Sequence, residues 1–335
     1  MKNAKRLFYL DVLRACAIIF VVGIHAHGYG MPDHLQGEFR LDRVWSEFSS
    51  LAVPIFFLVD GFITARSQTR AQAPSFKEIL AKSAKRLIVP YVCFNLIYVG
   101  LRVFFESRGM FPKNYLVGQS WEDIFRNIYL SKIAMQLYFL PTLFLMRLVA
   151  APLRPMTCGS RIGLVLFWLG YIVVMRAIGF RLGDDPLTHA FVEFPYFLFG
   201  MVLYRLETCE SRWPMLIMIS CGLVACLQRL IPTPLFWVPI SFGIAKYGFM
   251  LLFYFVSKWP GWEVKPVIWL GRHTMQIYLL HAPVLMKVIQ IVVNRSVEVP
   301  STRFLMIWVA TLVASILLTI LLARIPRSGW LFGDG

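Results

Sequence analysis

The chain has 335 residues, of which 58% are hydrophobic and only 16% are charged, and its mean hydropathy is +0.64. Soluble domains contain roughly 45–50% apolar and about 25% charged residues, so these values exclude an ordinary soluble protein, a disordered chain and a disulfide scaffold. The formal net charge of +16 is not gathered into a compact basic domain, which argues against nucleic-acid binding. The composition therefore predicts a multi-pass membrane protein, provided that the apolar residues form blocks of about 20.

The apolar residues do form such blocks, and ten stretches are candidate membrane spans. In chain order they are Leu10–His27, Ser46–Ala65, Leu87–Phe105, Ile133–Ala151, Ile162–Phe180, Ala190–Leu206, Met215–Leu230, Val238–Ser257, Thr274–Val293 and Phe304–Ala323. Each span is predicted to be a helix, because backbone groups in lipid must be satisfied within the segment and the runs lack the alternation of a barrel strand. The predicted fold is all-α integral membrane, with about ten transmembrane helices in one bundle and a single domain over residues 1–335.

The distribution of Lys and Arg orients these helices. An even number of spans puts both termini on the same side, and cytoplasmic segments carry an excess of basic residues. The loop from Arg66 to Arg86, between the second and third spans, has six basic residues against one acid, Glu78. Both termini are therefore predicted to be cytoplasmic. The basic surface then faces anionic headgroups, so membrane lipids are predicted partners and nucleic acid is not.

The first predicted span contains three ionisable residues, Asp11, Arg14 and His25. Such residues cost roughly 2.5–3.5 kcal/mol or more inside a membrane and mark a functional hypothesis. Arg14 and His25 are eleven residues apart, which at about 100° and 1.5 Å per residue places them on one helix face, roughly 16 Å apart along the axis. Asp11 lies one turn before Arg14 and is expected to pair with it. The alternative is simple charge neutralisation near the interface, with His25 reaching external water.

Two other spans carry a single ionisable residue in an apolar run. Asp60 lies in the second span beside Gly61, which permits close approach of another helix. A carboxylate there stays protonated or finds a cation, and a structural pair with Arg14 or Arg66 is the simpler explanation. His281 lies in the ninth span. A single histidine on an apolar face is more often a satisfied core residue than a base.

Several motifs, taken together and in this order, resemble those of a known family. They are Leu10-Asp11-Val12-Leu13-Arg14-Ala15 with His25, Val53-Pro54-Ile55-Phe56-Phe57 with Gly61-Phe62, Lys85-Arg86-Leu87-Ile88-Val89-Pro90-Tyr91, Leu137-Tyr138-Phe139-Leu140, Phe194–Met201 and Tyr278–Pro283. The chain resembles the acyltransferase family 3 integral membrane proteins, which include O-antigen acetylases and the enterobacterial common antigen O-acetyltransferase. The opening motif is similar to the Arg-x10-His signature of that family. The chain departs from the family at Asp60, where a small residue, commonly Ser, is usual.

The resemblance implies a membrane O-acyltransferase that moves an acyl group, usually acetyl, from cytoplasmic acetyl-CoA to a carbohydrate hydroxyl. His25 is then the catalytic base or the acyl carrier, with Arg14 and Asp60 completing the catalytic set. Arg14 and Arg86 are expected to bind the anionic acyl-CoA. Either Asp60 or Asp11 would fix the tautomer of the imidazole. Supporting roles are expected for Asp11, Tyr138 and His281.

The implied acceptor is a surface polysaccharide or a lipid-linked sugar, and the implied location is a bacterial plasma (inner) membrane. No paired Cys spacing typical of a metal site occurs in the sequence, so no metal cofactor is predicted. Two other classes of protein fit part of the pattern. A proton-coupled transporter would also place Arg, Asp and His inside helices, but it would favour an internal two-fold symmetry that the sequence lacks. A polysaccharide export protein would tolerate the loss of His25.

Overall fold

A computed structural model of the protein describes residues 7–30, 45, 49–109, 116–178, 185–208, 238–262, 264–326 and 328–333, with side chains for all of these except 28–30, 176 and 238–245. Every regular element in this part of the chain is helical, which confirms the all-α prediction. The α-helices are α1 Phe8–Gly30, α2 Ala52–Gln68, α3 Phe76–Ser83, α4 Val89–Ser107, α5 Trp121–Tyr129, α6 Phe139–Ala150, α7 Arg154–Cys158, α8 Arg161–Ala177, α9 Pro186–Glu207, α10 Val238–Ser257, α11 Lys265–Arg272, α12 Thr274–Leu280, α13 Met286–Ser296 and α14 Pro300–Ala323.

Within the described ranges, six helical segments are long and apolar enough to cross a membrane. They are Phe8–His27, Phe76–Ser107, Met135–Cys158, Pro186–Glu207, Thr274–Ser296 and Pro300–Ala323. Three more predicted spans coincide with α2, α8 and α10, which have 17, 17 and 20 residues. The seventh predicted span, Met215–Leu230, lies outside the described residues. A multi-pass membrane protein is thus supported, while the count of ten spans and the cytoplasmic termini stay predictions.

Helix α14 shows how the bundle distributes polarity. Its buried face carries three hydroxyl residues one helical turn apart, Thr311, Ser315 and Thr319. The Ser315 and Thr319 hydroxyls donate to the carbonyls of the residues four positions earlier, at 2.7 and 2.8 Å. The exposed face is apolar and includes Leu305, Met306, Val309, Val313, Leu317, Ile320 and Leu321. An apolar exterior over a small, hydroxyl-bearing interior is typical of a helix that faces lipid.

Helices α2 and α9 pack with their backbones in contact, which requires glycine on both sides. A Cβ atom added to Gly61 would lie 1.9 Å from the Phe197 carbonyl oxygen, and one added to Gly200 would lie 2.0 Å from the Leu58 carbonyl oxygen. The predicted role of Gly61 in close helix approach is therefore confirmed. Helix α1 contacts α2, α10, α11, α12 and α14, so its ionisable residues lie at the centre of the described bundle.

Candidate active site

A partly open cavity lies between α1, α2, α6 and α12. Three arginines, Arg14, Arg86 and Arg147, line it together with one carboxylate, Asp60. The remaining lining residues are apolar, aromatic or hydroxyl-bearing: Phe56, Val59, Leu87, Phe139, Leu143, Thr274, Met275 and Tyr278. Three guanidinium groups against one carboxylate give the cavity a net positive charge. It is therefore suited to an anionic ligand, and to phosphate groups in particular.

The predicted pair of Asp11 and Arg14 is formed. Arg14 Nη1 lies 3.3 Å from Asp11 Oδ1, and Arg272 Nε lies 3.8 Å from Asp11 Oδ2. Asp11 is only 2% exposed, so its charge is held between two guanidinium groups inside the bundle. Gly271 lets α11 approach at this point, since a Cβ there would lie 1.9 Å from the Asp11 carbonyl oxygen. This pair anchors Arg14 at the wall of the cavity.

Asp60 is paired with a residue that the sequence analysis did not name. Arg147 Nε lies 2.7 Å from Asp60 Oδ2, and Arg147 Nη2 bonds Asp60 Oδ1, so the pair is bidentate. In the described part of the chain, the partner of Asp60 is thus Arg147 and not the expected Arg14 or Arg66. Arg147 lies inside the predicted span Ile133–Ala151, and the rarity of arginine within a membrane span is the signal that could have identified it.

The two site histidines meet, although they come from opposite ends of the sequence. His25 on α1 and His281 after α12 have ring centroids 5.3 Å apart, with their planes tilted by 44°. The expected support of His25 by a carboxylate is not formed in the described residues, because Asp60 is engaged by Arg147 and Asp11 by arginines. The polar group beside His25 is the imidazole of His281.

The ninth predicted span is broken at His281 instead of continuing as one helix. The segment His281–Leu285 is a π-helical turn in which Ala282 has a non-helical backbone (φ −139°, ψ 160°). Pro283 explains the interruption, since it has no N–H to donate and clashes with the preceding turn. A broken helix at membrane depth leaves backbone carbonyls that other groups must satisfy.

Three side chains bond these carbonyls: that of His281 itself, that of Tyr98 on α4 and that of Gln136 in the turn before α6. His281 Nδ1 lies 2.7 Å from the Tyr278 carbonyl oxygen and 3.3 Å from that of Ile277. Gln136 Nε2 donates to the Ala282 carbonyl at 2.6 Å. The Tyr98 hydroxyl contacts the same carbonyl at 2.6 Å and also bonds the Leu279 carbonyl. These five contacts hold the break, and therefore the His281 ring, in one position.

Tyr278 connects the cavity with the histidines. Its ring lines the cavity and lies 5.9 Å from the His281 ring, centroid to centroid. Its hydroxyl bonds the backbone carbonyl of Gln136, and its ring packs against Phe139 at 5.5 Å. Tyr278 therefore links the cavity lining to His281, and His281 in turn neighbours His25.

Tyr138, the other expected supporting residue, lies in a different environment. Its ring packs against that of His189 on α9, with a centroid distance of 4.3 Å. Among the described residues, no group of three or more His, Cys, Asp and Glu side chains lies close enough together to hold a metal ion.

A family model described as an acyltransferase domain, that of acyltransferase family 3, matches residues 7–324 of the chain. The match covers nearly the whole sequence, including every residue of the cavity and both histidines. No curated protein and no solved structure matches the chain.

Proposed function

The chain belongs to acyltransferase family 3, and from that premise we propose that it is a membrane O-acyltransferase. The proposed reaction transfers an acyl group, acetyl in our proposal, from acyl-CoA to a hydroxyl of a cell-surface or lipid-linked carbohydrate at a bacterial plasma membrane. The observation that carries the proposal is the sequence of contacts from the three-arginine cavity through Tyr278 to His281 and His25. An anion-binding end and a proton-accepting end thus belong to one site.

The donor is proposed to bind with its phosphates at the arginines. CoA carries its phosphates at one end of a flexible arm and its thioester at the other, so a charged cavity beside a buried imidazole matches its chemistry. Arg14 and Arg86 would bind these phosphates, and Arg147 joins them because it lines the same cavity. Asp60 is assigned to this donor site instead of the catalytic set, since both its oxygens orient Arg147.

His25 acts at the thioester by one of two routes. As a general base it takes the proton of the acceptor hydroxyl, whose oxygen attacks the thioester carbonyl; the C–S bond breaks and the CoA thiolate takes up that proton. As an acyl carrier its nitrogen attacks the carbonyl, CoA leaves, and the acceptor hydroxyl then displaces the imidazole. Exchange of labelled CoA into acetyl-CoA without any acceptor is expected only for the carrier route.

Mass spectrometry of the surface glycans tests the function. Cells that lack the protein are complemented with the wild-type chain, with His25→Ala or with His27→Ala. His27 is the matched control, because it lies on the same helix and its ring contacts Phe304 instead of His281. The proposal expects an acyl mass increment that the wild type and His27→Ala restore and His25→Ala does not, at equal amounts of protein in the membrane.

Two other results would overturn the proposal. Full restoration of the acyl mass increment by His25→Ala would show that His25 takes no part in the reaction. No acyl difference in a broad survey of glycans would favour a proton-coupled transporter or an export protein.

A further inference from the structure

We infer that Nε2 of His281 accepts a hydrogen bond from the ring N–H of His25, directly or through one water. This contact fixes which nitrogen of His25 carries the lone pair. The inference rests on the proposed function, in which His25 is the reacting imidazole. His281 is then a positioning residue that acts through His25, in the place where many enzymes have a carboxylate.

The backbone around the helix break determines the tautomer of His281. Its Nδ1 atom lies 2.7 Å from the Tyr278 carbonyl oxygen and 3.3 Å from the Ile277 carbonyl oxygen. A carbonyl oxygen only accepts, so Nδ1 must carry the proton. In a neutral imidazole the other nitrogen is then an acceptor. Nε2 of His281 therefore presents a lone pair.

That lone pair is buried and has no protein partner among the residues that the structure describes. His281 is 0% exposed, and its Nε2 atom makes no hydrogen bond with any of them. Buried polar atoms in folded proteins are nearly always bonded, and an exception calls for a functional explanation. The neighbouring polar group is the imidazole of His25, 5.3 Å away between centroids. A rotation of the His25 ring or one bridging water brings its N–H to Nε2.

This arrangement determines which ring nitrogen of His25 carries the proton. The nitrogen of His25 that faces His281 carries the proton, and the other nitrogen carries the lone pair that reacts. The proton on Nδ1 of His281 is held by the backbone of the break, so Nε2 is the nitrogen left to accept from His25. A neutral acceptor beside His25 also stabilises the imidazolium that forms when His25 takes up a proton.

Two substitutions at His281 separate positioning from a purely structural role. In His281→Asn the side-chain amide occupies the place of Nδ1, so the bond to the Tyr278 carbonyl is kept and the acceptor at Nε2 is lost. In His281→Gln the side-chain carbonyl reaches the place of Nε2, so the acceptor is kept and the backbone bond is weakened. Positioning predicts higher activity for Gln than for Asn, whereas a structural role predicts the reverse.

The readout is the initial rate of CoA release from acetyl-CoA in membrane vesicles from the producing cells, which contain the natural acceptor. We expect His281→Asn to lower kcat roughly 10–100-fold, which is less than the roughly 10²–10⁴-fold that general-base catalysis supplies because His25 itself is kept, and to leave KM for acetyl-CoA unchanged. His281→Gln is expected to retain at least a tenth of the wild-type kcat. The matched control is His273, whose Nδ1 bonds the Trp269 carbonyl at 2.8 Å in a similar way; neither His273→Asn nor His273→Gln should change kcat.

The outcomes also separate this inference from the proposed function. If the wild type releases CoA and His25→Ala does not, but His281→Asn is as active as His281→Gln or more so, only the positioning role is overturned. If His25→Ala is fully active, the proposed function fails, and the role of His281 fails with it. Equal loss in His281→Asn, His281→Gln and His281→Phe, with lower amounts of folded protein, would likewise overturn the positioning role, because the acceptor at Nε2 would then make no difference.

Discussion

The two ends of the site bury their polar groups in different ways. At the arginine end, each carboxylate is matched with guanidinium groups: Asp60 with Arg147, and Asp11 with Arg14 and Arg272. At the histidine end, neutral side chains bond the backbone carbonyls of a broken helix. One atom there, Nε2 of His281, is left without a partner in the described residues. Charge thus collects where we propose that an anion binds, and neutral hydrogen bonds surround the imidazole that we propose reacts.

Because of this difference, substitutions at the arginine end and at the histidine end should affect different properties of the protein. Ion pairs in a low-dielectric interior are costly to break from one side, since the remaining charge has no solvent. Neutral hydrogen bonds contribute less each, but here they set the position of a ring. Substitutions at the arginine end should therefore change folding or donor affinity, and those at the histidine end should change turnover.

The largest effect is expected from breaking the buried pair. Arg147→Met leaves the Asp60 carboxylate buried, at 8% exposure, without its cation. The free energy of unfolding should fall by about 3–5 kcal/mol, and the double variant Asp60→Ser/Arg147→Met should recover most of that loss. Thermal unfolding of the purified proteins in detergent measures both values. A double variant no more stable than the single one would show that the pair is not what stabilises this region.

The second largest effect is expected on the affinity for the acyl donor. Arg86→Gln removes one of the three cations that line the cavity, and a charge-assisted hydrogen bond is worth about 1.5–3 kcal/mol. We expect KM for acetyl-CoA to rise roughly 10–100-fold with little change in kcat. Lys85→Gln is the control, because it removes the same charge from the adjacent, exposed position outside the cavity lining. A similar rise in both variants would mean that only the general basic charge of the loop matters.

At the histidine end, Tyr98→Phe tests the support of the helix break. The substitution removes a hydroxyl that contacts the Leu279 and Ala282 carbonyls and keeps the shape of the ring. Stability should fall by about 1–2 kcal/mol, and kcat should fall while KM for acetyl-CoA is unchanged. Tyr91→Phe is the control on the same helix, since the Tyr91 hydroxyl donates to the Ile128 carbonyl at 2.8 Å, away from the break. Equal kcat values for the two variants would contradict the prediction.

The smallest effect is expected at the start of α9, in a residue that neither lines the cavity nor bonds the helix break. Asp185 caps this helix by accepting from the Thr188 N–H at 2.9 Å, and the side-chain and backbone bonds from Thr188 lower the pKa of the Asp185 carboxyl. Asp185→Ala should cost about 1 kcal/mol and leave kcat unchanged. Because the pKa is lowered on folding, this contribution is present above the ordinary carboxyl pKa and is lost as the pH falls through the folded value. Thermal unfolding of both proteins at neutral and acidic pH checks it; a difference that persists at acidic pH would contradict the cap.

Local spacing was sufficient for part of the site. The pair of Asp11 and Arg14 follows from their separation of one turn, and the close approach at Gly61 follows from the absence of a side chain. The partner of Asp60 did not follow, because Arg147 is 87 residues away and is chosen by the packing of α2 against α6. The position of His281 likewise depends on a break whose carbonyls are satisfied from α4 and from the turn before α6.

The sequence by itself determined the class of protein and the positions of most helices, because lipid permits only apolar runs with internally satisfied backbones. It also determined the family, through motifs whose residues are close in the chain. Helix packing, in contrast, brings Arg147 together with Arg14 and Arg86 in one cavity and places His25 next to His281. The physical reason is that an apolar pattern specifies which segments become helices, whereas the partners of the few polar residues depend on how those helices pack, which no local pattern encodes.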